Sequence, residues 1–276
     1  MAGLLDTVRE ADRDRYLAAL YAPEDKREAL LALYAFNAEI ASVRDRIREP
    51  LPGEIRLQWW RDLIDGGDAE QASGSPLAEA LLATIRDHRL PRIAFDNYIE
   101  ARLFDLYDDP MPGRTELEGY CGETASALLQ LSALVLDPGE AAGCAELAGH
   151  AGCAQAITGL MRLLPLHVSR GQCYIPADIL AAVGSSAEGF LQEPEAQSSR
   201  MALAAMRSLA HEHLSAFERE ARRMPQTLRP AFLPLALTGA YLDRLDRANG
   251  IAPAARTELS ALRKHVRMFR RAWRGW

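Results

Sequence analysis

FNAEIASVRDRIR, residues 36–48, lies in a segment that carries two helical stripes at once. Leu33, Phe36, Ile40, Val43 and Ile47 recur at steps of three and four, the spacing of one helix face, so this bulky stripe has to be covered by neighbouring helices. On almost the opposite side Leu31, Tyr34, Ala38, Ala41, Ser42 and Asp45 fall within one arc, and Glu28, Glu39, Arg44, Arg46 and Arg48 lie largely between the two. Such a helix turns two faces away from bulk water. A face of small residues ending in one carboxylate suits a helix that lines an internal space. Close packing through Ala and Ser, with Asp45 solvated at the helix end, suits the same pattern, and composition alone favours it. Ala41 and Asp45 stand one turn apart, the geometry in which two acids share a metal ion, yet only one of them is an acid.

A second segment behaves similarly. In GHAGCAQAITGLMRLLPLHV (149–168), Ala156, Leu160, Leu163 and His167 share one stripe. Pro165 removes a backbone donor and is expected to kink the final turn. No second imidazole lies at helical spacing from His167, so a hydrogen-bonded core histidine is the simpler expectation than a metal ligand.

Helical periodicity runs from end to end, and alternating β-branched runs are missing, so the fold class is all-α. Pro23, Ser75 with Pro76, and Thr115 with Glu118 as a capping box mark helix starts. Breaks are expected at 48–54, 65–76, 108–114, 137–143 and 181–199, and none has the composition of a linker, which gives one domain over residues 1–276. With 276 residues, 49% of them hydrophobic, the chain can bury a sizeable core, and a net charge of -6 argues against nucleic acid as a partner. Cys121, Cys144, Cys153 and Cys173 have neither pairing nor zinc-ligand spacing and read as reduced core thiols. The N-terminus carries acids close to Met1 and no long apolar run, so a cytoplasmic location is expected.

Few other motifs carry chemistry. Asp105 and Asp109 in DLYDDP are at i, i+4, but Pro110 follows at once and favours a solvated helix end. His211 and His213 in HEH project about 200° apart on a helix and cannot share an ion. Asp243 and Asp246 sit among arginines as surface charges, and no nucleophile motif, phosphate loop or dinucleotide fingerprint is present. In LRKHVRMFRRAWRGW (262–276), Leu262, Val266, Phe269, Trp273 and Trp276 form an apolar stripe within a strongly basic remainder. That pattern fits a helix docked on an anionic membrane surface or an acidic partner, and equally a helix that packs its stripe on the domain body.

Taken with RYLAALYAPEDKREALLALYAF (15–36), RLQWWRDLI (56–64), the FDL around Asp105, LEGYCGETAS (117–126), HAGCAQAITGLMR (150–162) and RGQCYIP (170–176), these segments resemble the squalene and phytoene synthase family over nearly the whole chain. The resemblance implies an all-helical isoprenoid-synthase bundle around a central cavity. In such proteins two acidic motifs on facing helices hold Mg²⁺ ions that bind substrate diphosphates and neutralise the leaving group. At the matching positions the first motif has Ala41 and Ser42 with only Asp45 acidic, and the second has Leu163, Leu166 and His167. Asp14 and Arg15 replace an early Ser-Phe pair, while Tyr16, Gln155, Arg162, Arg170, Gly171, Tyr174 and Pro176 match the frame.

The pattern is most similar to the branch of the family that lacks the acids and includes a mitochondrial factor for assembly of respiratory complex I. It implies a non-catalytic chain that binds a prenyl lipid, a prenyl diphosphate or an assembly partner, with Tyr16, Tyr34, Ala41, Asp45, Gln155, Arg162, Leu163, His167, Arg170 and Tyr174 lining the cavity. No cofactor is then expected, and a peripheral position on the inner face of the membrane is. The alternatives are an active prenyltransferase using Asp45 and Asp105 with Mg²⁺ and NADPH, and a lipid-binding module.

Overall fold

The computed structural model describes residues 2–66 and 72–276. Among the described residues every regular element is helical. The chain packs into two compact units, each assembled from three segments. One holds the chain up to Tyr107 with Ala127–Ala145 and Met224–Pro234; the other holds Asp108–Ser126, Glu146–Arg223 and Leu235–Trp276.

The first unit is organised on the Glu24–Ala41 helix, whose residues 29–37 are all buried. Phe36 sits among the rings of Trp60, Phe95 and Tyr98 at centroid distances of 5.3, 5.6 and 5.5 Å. The pairs with Trp60 and Phe95 are edge-to-face, a geometry that contributes roughly 0.5–1.5 kcal/mol each beyond the area buried. This cluster ties the helix to Pro50–Gly66 and Arg92–Leu103, and the Tyr98 hydroxyl donates to Asn37 Oδ1 at 2.8 Å. The bulky stripe expected from the sequence is buried, with Leu33, Phe36, Ile40 and Val43 inside and Ile47 half-buried, and Leu31 and Tyr34 of the opposite arc are buried as well.

The helix does not run on through residue 48. It ends at Ala41, and a single turn, Val43–Arg46, follows before Ile47 becomes extended at φ -118, ψ 158. Ser42 is the break: its hydroxyl donates to the Glu39 carbonyl at 2.9 Å, a local bond that competes with helical pairing.

The second unit is built on Ala145–Arg162, Gln197–Glu220, Leu235–Ala248 and Ala261–Arg274. Helix Arg114–Cys121 leads into a π-turn, Gly122–Ser126. A Cβ on Gly152 would stand 2.4 Å from the Ser126 backbone nitrogen and 2.6 Å from its Cα, so only glycine lets the two backbones approach this closely. The expected kink at Pro165 is instead a full stop. Leu163 leaves the helix, and Leu164–Ser169 starts afresh with Pro165 in its first turn, where a missing N–H costs no hydrogen bond.

Other boundaries also differ. Gly113, not Thr115, caps Arg114–Cys121. Ser75 does cap Pro76–Asp87, accepting from the Ala78 amide; of the break placed at 65–76, residues 67–71 lie outside the described residues. The stretches 137–143 and 181–199 each hold a short helix, begun by Asp137 before Pro138 and by Ser186, both of which accept a backbone N–H. All four cysteines are buried and free of disulfides.

Gly152→Ala forces a backbone shift at the Ser126 contact and is expected to destabilise the fold by about 1–3 kcal/mol, as overpacking does. The urea midpoint of the variant checks it, with Gly149→Ala, which meets nothing within 4 Å, as the control.

Candidate functional site

In the first unit the residues singled out by sequence surround the end of the Glu24–Ala41 helix and the short helix before it. Tyr34 is fully buried, and burial pushes its phenol above the ordinary value, partly offset by the nearby Ser132 hydroxyl and the charge of Arg15. Arg15 occupies the position expected of an aromatic residue. Its guanidinium is buried, which works against its charge, but Asp12 at 2.5 Å more than compensates and holds it protonated. Tyr16, on the same helix, is half-buried.

Ala41 and Asp45 are both exposed. The carboxylate that organises this corner is Glu39, which receives Arg46 and Arg56 at 2.8 Å each. Burial raises the Glu39 pKa, and the two guanidinium hydrogen bonds outweigh it, leaving the carboxyl below its ordinary range. Asp105 is buried and bonded to Arg102 at 3.0 Å. Its 3₁₀ turn ends at Leu106, and Tyr107 is extended, so Asp105 and Asp109 do not share a helical face.

In the second unit the matching residues serve packing and pairing. His167 is buried, with its ring 4.7 Å from that of Tyr174, whereas Leu163 and Leu166 are exposed. The stripe expected to run from Ala156 to His167 is thus broken at Leu163, because the new helical turn resets the register. Arg162 lies 3.7 Å over the Tyr241 ring and donates to Glu258 at 2.7 Å. Gln155 and Arg170 are half-buried.

A histidine cluster went unread in the sequence. His150 and His213 approach to 3.0 Å between their Nδ1 atoms, His213 Nε2 lies 3.2 Å from Glu118, and Glu118 accepts from Arg114 at 2.8 Å. Burial raises the Glu118 pKa, but hydrogen bonds from Arg114 and His213 outweigh it and hold the carboxyl below its ordinary value. His211 points elsewhere, to Asp246 at 2.9 Å, as helical geometry required of HEH. His150 lies 63 residues from its partner, beyond the reach of any spacing rule.

The Ala261–Arg274 helix is amphipathic in an unusual sense. Leu262, Val266, Phe269 and Trp273 are 75, 58, 60 and 76% exposed, while Lys264 and Met268 are buried. Lys264 pairs with Glu258, Arg271 reaches Glu218 at 3.3 Å, and Trp276 leaves the stripe to pack on Phe217. The stripe does not pack on the body of the unit. A separate groove of about 520 Å³ lies between Pro50–Gly66 and Arg92–Leu103, with Gln58, Arg61, Arg92 and Asp96 in its walls; it takes four residues of the RLQWWRDLI segment, and none of the residues expected to line a cavity.

The model of the squalene/phytoene synthase family matches residues 8–268. The chain belongs to the squalene/phytoene synthase family. Among its relatives, bovine (Bos taurus) NADH dehydrogenase (ubiquinone) complex I, assembly factor 6 is 31% identical over 250 residues, which cover 89% of this chain and 73% of that protein. Presqualene diphosphate synthase of Rhodopseudomonas palustris is 29% identical over 173 residues, 62% of this chain and 61% of that one. The solved structure of a dehydrosqualene synthase in complex with ligand superposes with a TM-score of 0.83 at 17% identity, covering 97% of this chain and 93% of that one, which makes the fold that of the helical isoprenoid synthases.

Magnesium, which the squalene/phytoene synthase family implies, does not fit the residues present. A hard dication wants several oxygen ligands. At the two motif positions this chain offers a methyl group, a hydroxyl already bonded to the Glu39 carbonyl, one exposed carboxylate, two leucines and a buried imidazole.

The Glu39 geometry sets an acid limit. A carboxyl whose folded pKa is depressed contributes stability above its ordinary value of 4.5 and loses it as pH falls through the folded value. Glu39→Gln is therefore expected to lower stability by roughly 0.5–1 kcal/mol at neutral pH and to be indistinguishable from the wild type in strong acid. Urea midpoints across the acid range measure both.

Proposed function

We propose that this chain is a non-catalytic member of the squalene/phytoene synthase family that serves assembly of respiratory complex I, held peripherally at a membrane. The carrying observation is the donor set at the two motif positions, where Asp45 is the single carboxylate and stands in solvent. Ionising an allylic diphosphate needs a metal cluster to take up the leaving charge, and no cluster can be built from one acid. The extent of likeness supports the same reading. Proteins named complex I assembly factor 6 align over 89% of the chain, against 62% for the presqualene diphosphate synthase.

Arg162 fits the reading as well. A guanidinium that would face a diphosphate is already committed to Glu258 and to the face of Tyr241. With its metal sites gone, an apolar surface such as that of Leu163 and Leu166 suits a prenyl lipid or a protein better than a diphosphate.

The test joins a deletion to an assay. Loss of complex I activity on deletion, restored equally by the wild type and by Asp45→Ala, is the expected outcome, together with no pyrophosphate release from farnesyl or geranylgeranyl diphosphate in Mg²⁺ with NADPH. Metal-dependent release of pyrophosphate would overturn the proposal in favour of a prenyltransferase.

The C-terminal helix supplies the membrane contact. Its outward Leu262, Val266, Phe269 and Trp273 are bordered by Arg263, Arg267, Arg270 and Arg274, the pairing of apolar face and cationic flank that suits an anionic bilayer. No helix among the described residues is long and apolar enough to cross a membrane. The protein is expected to sediment with vesicles containing phosphatidylglycerol, less so as salt rises, and not with phosphatidylcholine alone. The double variant Phe269→Ser, Trp273→Ser should lose this binding while keeping the wild-type circular dichroism; undiminished binding would rule the helix out.

A further inference from the structure

Glu146 and His150 stand one turn apart on Ala145–Arg162, and Glu220 closes the Gln197–Glu220 helix in the same unit. One ligating atom from each lies within 4.8 Å of the others. We infer that these three residues bind a transition-metal dication of the Zn²⁺ class, at a site separate from the acidic-motif positions of the family.

Two considerations of charge lead there. Two carboxylates and an imidazole lone pair brought this close repel one another unless a cation or a proton lies between them. Glu146 is exposed, but His150 and Glu220 are half-buried, so solvent does not fully relieve the crowding. A mixed nitrogen and oxygen donor set suits a borderline dication, whereas Mg²⁺ prefers oxygen alone.

The decisive support comes from residues outside the donor set, which fix the state of His150. A carboxylate can only accept, so His213 Nε2 carries a proton and donates it in a hydrogen bond to Glu118 at 3.2 Å. A neutral imidazole has one N–H, so His213 Nδ1 then presents a lone pair. Its neighbour at 3.0 Å is His150 Nδ1, which must donate. With both rings neutral, the proton of His150 is thereby held on Nδ1 and Nε2 keeps its lone pair, the form that ligates metals. A ligating histidine ordinarily hands its second ring N–H to such an acceptor, which orients the ring and raises its basicity. Here that acceptor is a second histidine, itself oriented by Glu118, with Arg114 at 2.8 Å behind it. Bound in this way, the ion would clip the first turns of one helix to the last turn of the other.

Titrating the full-length, metal-stripped protein with ZnCl₂ by calorimetry tests the site, with CoCl₂ absorption reporting the coordination. One saturable Zn²⁺ per chain is expected. Binding should disappear in His150→Ala and in the double variant Glu146→Gln, Glu220→Gln, whose changes lie at helix positions that tolerate them. Glu118→Ala, which touches no ligand, should weaken binding by about 10- to 100-fold, as loss of an outer partner does. Zn²⁺ should also raise the melting midpoint of the wild type and leave that of the double variant unmoved. Absence of saturable Zn²⁺ or Co²⁺ binding, or binding of wild-type strength in the double variant, overturns the site; unchanged affinity in Glu118→Ala overturns the role given to the histidine pair.

Discussion

Phe36 has rings on three sides, and the first unit is arranged around that fact. Trp60, Phe95 and Tyr98 come from two different helices, and each can reach Phe36 only if its helix crosses Glu24–Ala41 at the same level. Aromatic side chains are rigid about two torsions, so such a cluster fixes depth and rotation together. Once Phe36 is pinned, Tyr34 must point into the core, and Ala41 and Asp45 come out on the solvent side of the helix end. The exposure of this corner is thus a consequence of hydrophobic packing one and two turns earlier. The packing that positions this corner does not depend on acids being present there.

The charged groups complete that picture. Arg15, Arg46, Arg56 and Arg162, all near family positions, meet carboxylates of the chain itself: Asp12, Glu39 and Glu258. Depressed carboxyl pKa values arise from internal partners too, Arg56 and Arg46 at Glu39 and Arg114 and His213 at Glu118. In a working diphosphate site the protein must leave positive charge uncompensated until substrate arrives. Here Arg15, Arg46, Arg56 and Arg162 are compensated on folding by carboxylates of the chain itself.

How much of this was legible in the sequence depended on the length scale of the cause. Helix existence and the buried face of residues 33–43 follow from periodicity and were readable. Helix ends were less so, because Ser42 and Leu163 stop their helices through local hydrogen bonds and a following proline, and the stripe of small residues through Asp45 looks continuous in either case. Short helices begun by Asp137 and Ser186 hid within stretches that read as loops, although Asp-Pro and Ser are start signals in themselves. The family positions were found through resemblance rather than spacing. The contact between His150 and His213 was out of reach, since it depends on how two helices distant in sequence pack. For the last helix the stripe was readable but not its direction: Met268 and Lys264 occupy the inner side, and Phe269 and Trp273 are left outside.

That orientation has a thermodynamic consequence. The backbone of Ala261–Arg274 is already ordered, its inner side held by Met268 and by the return of Trp276 onto Phe217. Ordering a free peptide of this length on a surface costs on the order of 1–2 kcal/mol per residue, and here folding has met that cost beforehand. On the proposed bilayer contact, adsorption would transfer only side-chain area out of water, and so would carry a negative heat-capacity change without any gain in helicity, the signature of a rigid foot rather than of a segment that folds on contact.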